Sequence, residues 1–325
     1  MENRRFIILI IIFLINLVWI NQVYSYGVET HRGITKEAIE FYNESNNREI
    51  TDTEKEIIML GSKKEDEPVY RTVNHFYDPI YNKGLLGLGT FLPAYDWAQN
   101  TNAQAGYSLR YALLSKLLSL YSSDTDYSFD RAVYEYVWGN KERGLETLGH
   151  ILHLIEDMSL PAHTRDDQHI NGDYYEDYAK KYDINTINDI SEELIKENQK
   201  QKQFSSLFDF FFSMANYSNN NFFSGDTILD EKYTKPAISF EKKDSDNKIM
   251  FGYKNLENSE FKLIRIEKGK YDPVLDKYTN NYFIKDPQNL ILSDYWSHLS
   301  KQAVLHASGV ISLFFEKVRE EEDTM

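Results

Sequence analysis

The sequence predicts a mainly α-helical chain with a small β-hairpin insertion, and three observations predict it. Apolar residues recur at helical spacing over most of the length, most plainly at Trp296, Leu299, Ala303, Ala307, Val310, Ile311 and Phe314. Residues 237–283 break that pattern with short β-prone runs, Ala237-Ile-Ser-Phe, Lys248-Ile-Met-Phe and Phe261-Lys-Leu-Ile-Arg-Ile, set between charged turns. At 325 residues, 42% hydrophobic and 14% aromatic, the chain can bury a sizeable core. It must do so without disulfides or thiolate metal ligands, because it has no cysteine.

The first 25 residues read as a signal peptide rather than as part of the fold. Arg4 and Arg5 precede the apolar run 6–20, broken only by Asn16, and Val23-Tyr24-Ser25 offers a cleavage site before Tyr26. The run is shorter than the roughly 18 residues expected of a membrane span. Residues 26–325 are then a single domain, secreted or periplasmic. Loss of Glu2, Arg4 and Arg5 takes the formal charge from −15 to −16. So acidic a surface disfavours long-range attraction to nucleic acid or anionic membranes, although bound cations would add positive charge locally.

Along the mature chain, amphipathic patterns predict helices over 35–42 and 52–60, the second opened by the capping signal Thr51-Asp-Thr-Glu54. Residues 61–102 are rich in glycine, proline and aromatics and show no periodicity; a loop that long in a compact domain is functional or misassigned. A buried helix is expected over 103–121, then a helical pair over 129–137 and 141–157 parted by Gly139-Asn140. Further helices fall at 174–181, 187–201 and 204–217, and a last one at 292–318. The chain ends with that helix, so strong membrane disruption through an appended lipid-binding β-sandwich is not expected.

The chemistry concentrates around His153-Leu-Ile-Glu-Asp157-Met-Ser-Leu-Pro161-Ala-His163. His153 and Asp157 are four apart and share one face of a helix. Pro161 should end that helix, and His163 can return from the following loop toward the same point. Two imidazoles and a carboxylate suit a borderline cation such as zinc. Three further clusters accompany this run: Tyr26-Gly-Val-Glu-Thr-His31; Gly61-Ser-Lys-Lys-Glu-Asp66 with Asn74-His75-Phe-Tyr-Asp78-Pro; and Asp166-Asp-Gln-His169-Ile-Asn-Gly-Asp173-Tyr-Tyr-Glu176.

Taken in this order, the clusters resemble the zinc-dependent phospholipase C family, bacterial enzymes with a three-zinc site, and are similar to the related fungal single-strand-specific nucleases of the same helical fold. The resemblance spans about residues 26–178 and rests on the whole series, His-x3-Asp-x5-His above all. It implies three Zn²⁺ ions. One would take the Tyr26 amine and carbonyl, His31 and one oxygen of Asp157. A second would take Asp66, His75, His153 and the other oxygen of Asp157. The third would take His163, His169 and a carboxylate, which family spacing gives as Asp173 and local sequence gives as Glu176. Asp173 also reads as a helix N-cap, which favours Glu176. Asp66 would be the catalytic residue, beside the attacking hydroxide. Tyr26 stands where the family usually has Trp, so its backbone ligands are expected to survive while the packing there differs.

The activity so implied is hydrolysis of a phosphodiester, of phospholipase C type, with a phospholipid or other phosphodiester substrate, transient contact with a membrane surface and no stable nucleic-acid complex. A single-strand-specific nuclease or nucleotidase, and a zinc-binding protein without turnover, are the alternatives. Other polar residues read as structural: His150 as a polar core neighbour, His298 and His306 as parts of the last helix, and Arg71 and Arg165 as salt-bridge partners of nearby acids. Phe210-Phe-Phe212 and Phe222-Phe223 read as core.

Overall fold

A computed structural model describes residues 27–324 apart from 47, 88, 90, 105–124, 170–171, 188, 234, 245–247, 257–258 and 274–275. The signal peptide, Tyr26 and nearly all of the helix expected over 103–121 lie outside the described residues. What is described is mainly helical, with one four-stranded antiparallel sheet. Among the described residues, no helix is long and apolar enough to cross a membrane.

The chain opens with α1 (Val28–Ser45) and α2 (Asp52–Lys64). At the start of α2 the Thr51 side chain accepts from the Glu54 amide while the Glu54 carboxylate accepts from Thr51, so the expected capping box forms. Helix α1 begins seven residues before the expected 35. Thr30, His31, Thr35 and Glu37 all face inward there, so its buried face is partly polar and carries little hydrophobic periodicity. The segment read as a loop over 61–102 is largely structured. Helix α2 runs to Lys64, a 3₁₀ helix covers Val69–Asn74, and α3 covers Ala94–Gln99.

Helix α4 (Phe129–Trp138) leads into α5 (Lys141–Asp157), which Asn140 caps by accepting from the Glu142 and Arg143 amides. From Thr147 to Asp157 every residue of α5 is buried, so this helix is the axis of the molecule and carries its polar residues inside. Pro161 does not merely end it. After the three residues Met158, Ser159 and Leu160, Pro161 takes the first position of a short helix, α6 (Pro161–Thr164), where its missing N–H costs nothing. His163 therefore returns on a helical turn rather than on a loop.

Two glycines set the distance between α2 and α5. A β-carbon on Gly61 would lie 1.9 Å from the Glu146 carbonyl, and one on Gly149 would lie 2.0 Å from the Ile58 carbonyl. The backbones touch, and no side chain fits between them. That contact brings the Ser62 carbonyl of α2 to 2.8 Å from the His153 ring on α5.

Helix α7 (Tyr174–Ala179) follows, then α8 (Ile190–Lys196), which is much shorter than the expected 187–201. Asn198, at φ 53°, closes α8 with the Gln199 amide bonded back to Leu194 and its own amide to Ile195, the hydrogen-bond pattern of a left-handed C-terminal cap. Ser206 caps α9 (Leu207–Asn221), which places that helix three residues later than its apolar run suggests. Phe210, Phe211, Phe222 and Phe223 are core, and Phe212 is exposed.

The insertion is more than a hairpin. Strands β1 (Phe240–Lys243), β2 (Met250–Leu256), β3 (Ser259–Asp272) and β4 (Lys277–Phe283) form an antiparallel meander in sequence order. The long β3 pairs on both sides, Gly252 opposite Ile264 and Ile266 opposite Tyr282, which is why two hairpins fuse into one sheet. Phe261 and Leu263 pack inward, and the Tyr295 hydroxyl donates to the Leu263 carbonyl. That bond ties the sheet to α10 (Leu290–Glu322), whose stripe from Trp296 to Phe314 is buried throughout. His306 lies in that stripe with its imidazole bonded to Gln302 and Ser213, and burial pushes its pKa down to about 3.

Replacing Gly149 with Ala is expected to destabilise the protein by about 1–3 kcal/mol through overpacking, even though alanine favours a helix by about 1 kcal/mol. Urea denaturation checks this; unchanged or raised stability would contradict the helix contact.

Candidate metal centre

Five segments deliver polar side chains to one buried point. Helix α1 brings His31, the turn after α2 brings Asp66, and the residue after the 3₁₀ helix is His75. Helix α5 brings His153 and Asp157 one turn apart, and α6 brings His163. His169 and Glu176 come from the next loop and from α7. All eight are buried, at 5% exposure or less.

They form three groups whose ligand atoms lie within 4.8 Å of one another: His31, His153 and Asp157; Asp66, His75 and His153; and His163, His169 and Glu176. Asp157 sits among them. Its Oδ1 is 3.4 Å from His31 Nε2 and 3.8 Å from His163 Nδ1, and its Oδ2 is 2.8 Å from His75 Nδ1 and 3.4 Å from His153 Nε2. Asp66 Oδ1 is 3.6 Å from both His75 Nδ1 and His153 Nε2. Glu176 Oε1 is 3.3 Å from His163 Nε2 and 3.1 Å from His169 Nε2.

These spacings are too long or too poorly aligned for hydrogen bonds. Among the described residues, both oxygens of Asp66 and of Asp157, both ring nitrogens of His75, Nε2 of His153, His163 and His169, and Oε1 of Glu176 have no hydrogen-bond partner. Burying so many polar atoms unsatisfied would be very costly. A tetrahedral ion with ligand bonds near 2.0–2.1 Å separates its ligand atoms by about 3.3 Å, which is the spacing most of them show. Nitrogen and carboxylate donors, with no sulfur, fit zinc. The residues present therefore fit three metal ions.

An outer layer holds the ligands. The Nδ1 atoms of His153, His163 and His169 face the carbonyls of Ser62 at 2.8 Å, His75 at 3.1 Å and Asp167 at 2.6 Å. Glu65, on the residue before Asp66, is fully buried: it accepts from Arg71, from Trp97 Nε1 at 3.1 Å and from His150 Nδ1 at 2.6 Å, and lies 3.6 Å from His75 Nε2. Glu156 lies 2.7 Å from His31 Nδ1. Sequence reasoning singled out neither glutamate; a carboxylate directly before a ligand aspartate was the available signal in both cases. Arg71 is a salt-bridge partner as expected, and Arg165 donates to the Thr227 hydroxyl and the Asn219 carbonyl.

Asp173 is engaged elsewhere. Its Oδ1 accepts from the Tyr175 and Glu176 amides and caps α7, while Glu176 turns toward His163 and His169. Tyr26, the remaining expected ligand, lies outside the described residues. His153 stands within reach of both of the first two groups, where the resemblance assigned it to one.

Electrostatics follow from this crowding. Burial pushes Asp157 up, but the imidazoles of His153, His163 and His75 hold it well below the usual carboxylate range. Burial pushes His153 down, and Asp66 and Asp157 hold it well above the usual imidazole range. Glu176 is driven well above the carboxylate range by burial, with Asp173 and Asp157 adding to it.

Comparison with protein-family models and with curated proteins finds no match for this chain.

Two predictions follow from the geometry. Without metal, Glu176 and His153 both hold protons more tightly than usual, and each must lose its proton to ligate. Metal uptake should therefore release protons at neutral pH, and affinity should fall as pH drops, by about tenfold per unit for each proton displaced. Calorimetric titration in buffers of different ionisation enthalpy measures this; uptake without proton release would contradict it. Asp157→Asn should weaken two ions by more than the about 10- to 100-fold typical of an outer-layer change, and leave the ion at His163, His169 and Glu176 in place. Metal analysis of the purified variant counts them.

Proposed function

We propose that this chain is an exported, zinc-dependent phosphodiester hydrolase of phospholipase C type, built on the helical fold of the family its motifs resemble. The observation that carries the reading is Asp157, one buried carboxylate with imidazoles facing both of its oxygens, joining groups that suit three ions. The leader over 1–25 supports export.

Bound zinc would supply Lewis acidity toward a phosphoryl oxygen and toward water at neutral pH. The protein's own groups do the rest. His31, Asp66, His75, His153 and Asp157 would hold two ions, and His163, His169 and Glu176 would hold a third. Asp66, whose oxygens have no hydrogen-bond partner among the described residues, would accept a proton from the attacking water.

Surface chemistry favours lipid over nucleic acid. Ile80, Tyr81, Leu86 and Leu229 are exposed, Leu229 at 67%, on two loops tied to the segment that leads to His169. The Leu86 amide bonds Asp166, Lys232 pairs with Asp166, and the Tyr81 hydroxyl bonds the Lys232 carbonyl. Apolar tips beside the lysines of Lys83 and Lys232, whose ammoniums lie over the Tyr81 ring, suit brief contact with a lipid surface. A net charge of −15, or −16 without the leader, works against a polyanion.

The mature protein is expected to hydrolyse a phosphatidylcholine analogue and to lose that activity on chelation, with recovery on zinc. Asp66→Asn should lower kcat by about 10²–10⁴-fold, the usual worth of a general base. Cleavage of single-stranded DNA but not phospholipid would move the assignment to the nuclease reading; bound zinc without turnover on either would make it a zinc-binding protein.

A further inference from the structure

We propose that Glu156 is a positioning residue of the metal centre: its carboxylate fixes His31 as the Nδ1–H tautomer and so aims the Nε2 lone pair at the ion shared with Asp157. The inference rests on the metal-centre reading and goes beyond it, because no ligand assignment involves Glu156.

A neutral imidazole carries one N–H, and only the other nitrogen can ligate. Whatever accepts the N–H therefore chooses the ligating atom. For His153, His163 and His169 the acceptor is a backbone carbonyl, set by the course of the chain. His31 differs. Its Nδ1 lies 2.7 Å from Glu156 Oε2, and its Nε2 lies 3.4 Å from Asp157 Oδ1. Consecutive residues of α5 thus meet opposite nitrogens of one ring.

Glu156 is itself held in place. It is fully buried, and its second oxygen accepts from the Thr35 hydroxyl at 2.7 Å. Thr35 Oγ1 lies 2.9 Å from the Ser62 hydroxyl, and the Ser62 carbonyl is the acceptor for His153. The rings of His31 and His153 stack with centroids 3.7 Å apart. One hydrogen-bonded chain therefore sets both imidazoles of the first group from behind. A carboxylate acceptor also makes the opposite nitrogen a stronger donor to a metal than a carbonyl does.

The test strips the mature protein with a chelator and titrates Zn²⁺ against a chromophoric competitor, for wild type, Glu156→Gln and His31→Ala. Glu156→Gln keeps the shape and removes the charge. It is expected to weaken one ion by about 10- to 100-fold and spare the others; His31→Ala should weaken the same ion, and the double variant should lose nothing more. Equal affinity for all ions in Glu156→Gln and wild type overturns the inference alone, whereas wild-type protein that takes up no ion overturns the metal-centre reading. A second measurement does not depend on the variant folding. Long-range ¹H–¹⁵N correlation on the zinc-loaded wild type should show His31 protonated at Nδ1, and a proton on Nε2 overturns the inference.

Discussion

Asp157 is a carboxylate with no exposure whose two oxygens face imidazoles from α1, α5, α6 and the segment after the 3₁₀ helix. Four stretches of chain must therefore converge on one residue, and the packing of the helical part is arranged to let them. Helix α5 runs through the middle with every residue buried from Thr147 to Asp157, so whatever it carries inward is removed from water. Helix α2 approaches it backbone to backbone at Gly61 and Gly149. Larger residues there would push Asp66 and the Ser62 carbonyl away from His153.

Such a cluster of buried polar groups is expensive to fold by itself. Buried carboxylates and imidazoles repel or attract one another over 3–4 Å, yet they do not align into hydrogen bonds that would offset the loss of water. Imidazoles hold Asp157 well below the carboxylate range, while burial drives Glu176 well above it. The outer layer has a different character: both oxygens of Glu65 have partners in Arg71, Trp97 and His150, and both oxygens of Glu156 have partners in Thr35 and His31. Rigid partners behind a frustrated centre are the arrangement expected of a preorganised site.

The helical frame was legible where periodicity and capping agree. The last helix, the pair before and after Gly139-Asn140, and the start of α2 follow from apolar spacing, an asparagine cap and a capping box. Periodicity failed where the inward face is polar, as in the first two turns of α1, because residues recruited to the site are not hydrophobic. It also failed over 187–201, where Asn198 stops the helix through a backbone conformation that no apolar pattern encodes. In the insertion, β-prone runs were visible, but the joining of two hairpins through β3 depends on pairing between distant segments.

By itself the sequence singled out residues of metal-binding type, placed His153 and Asp157 on one helix face, and put a break before Pro161 from which His163 can return. Those are consequences of local geometry, fixed by 3.6 residues per turn and by the ring of proline. The N-cap reading of Asp173 already favoured Glu176, and the tertiary structure then placed Glu176 Oε1 3.3 Å from His163 and 3.1 Å from His169. It also decided that Glu65 and Glu156 stand behind His75 and His31. Those contacts join residues 10 and 125 positions apart, and only the close approach of packed helices brings them within reach.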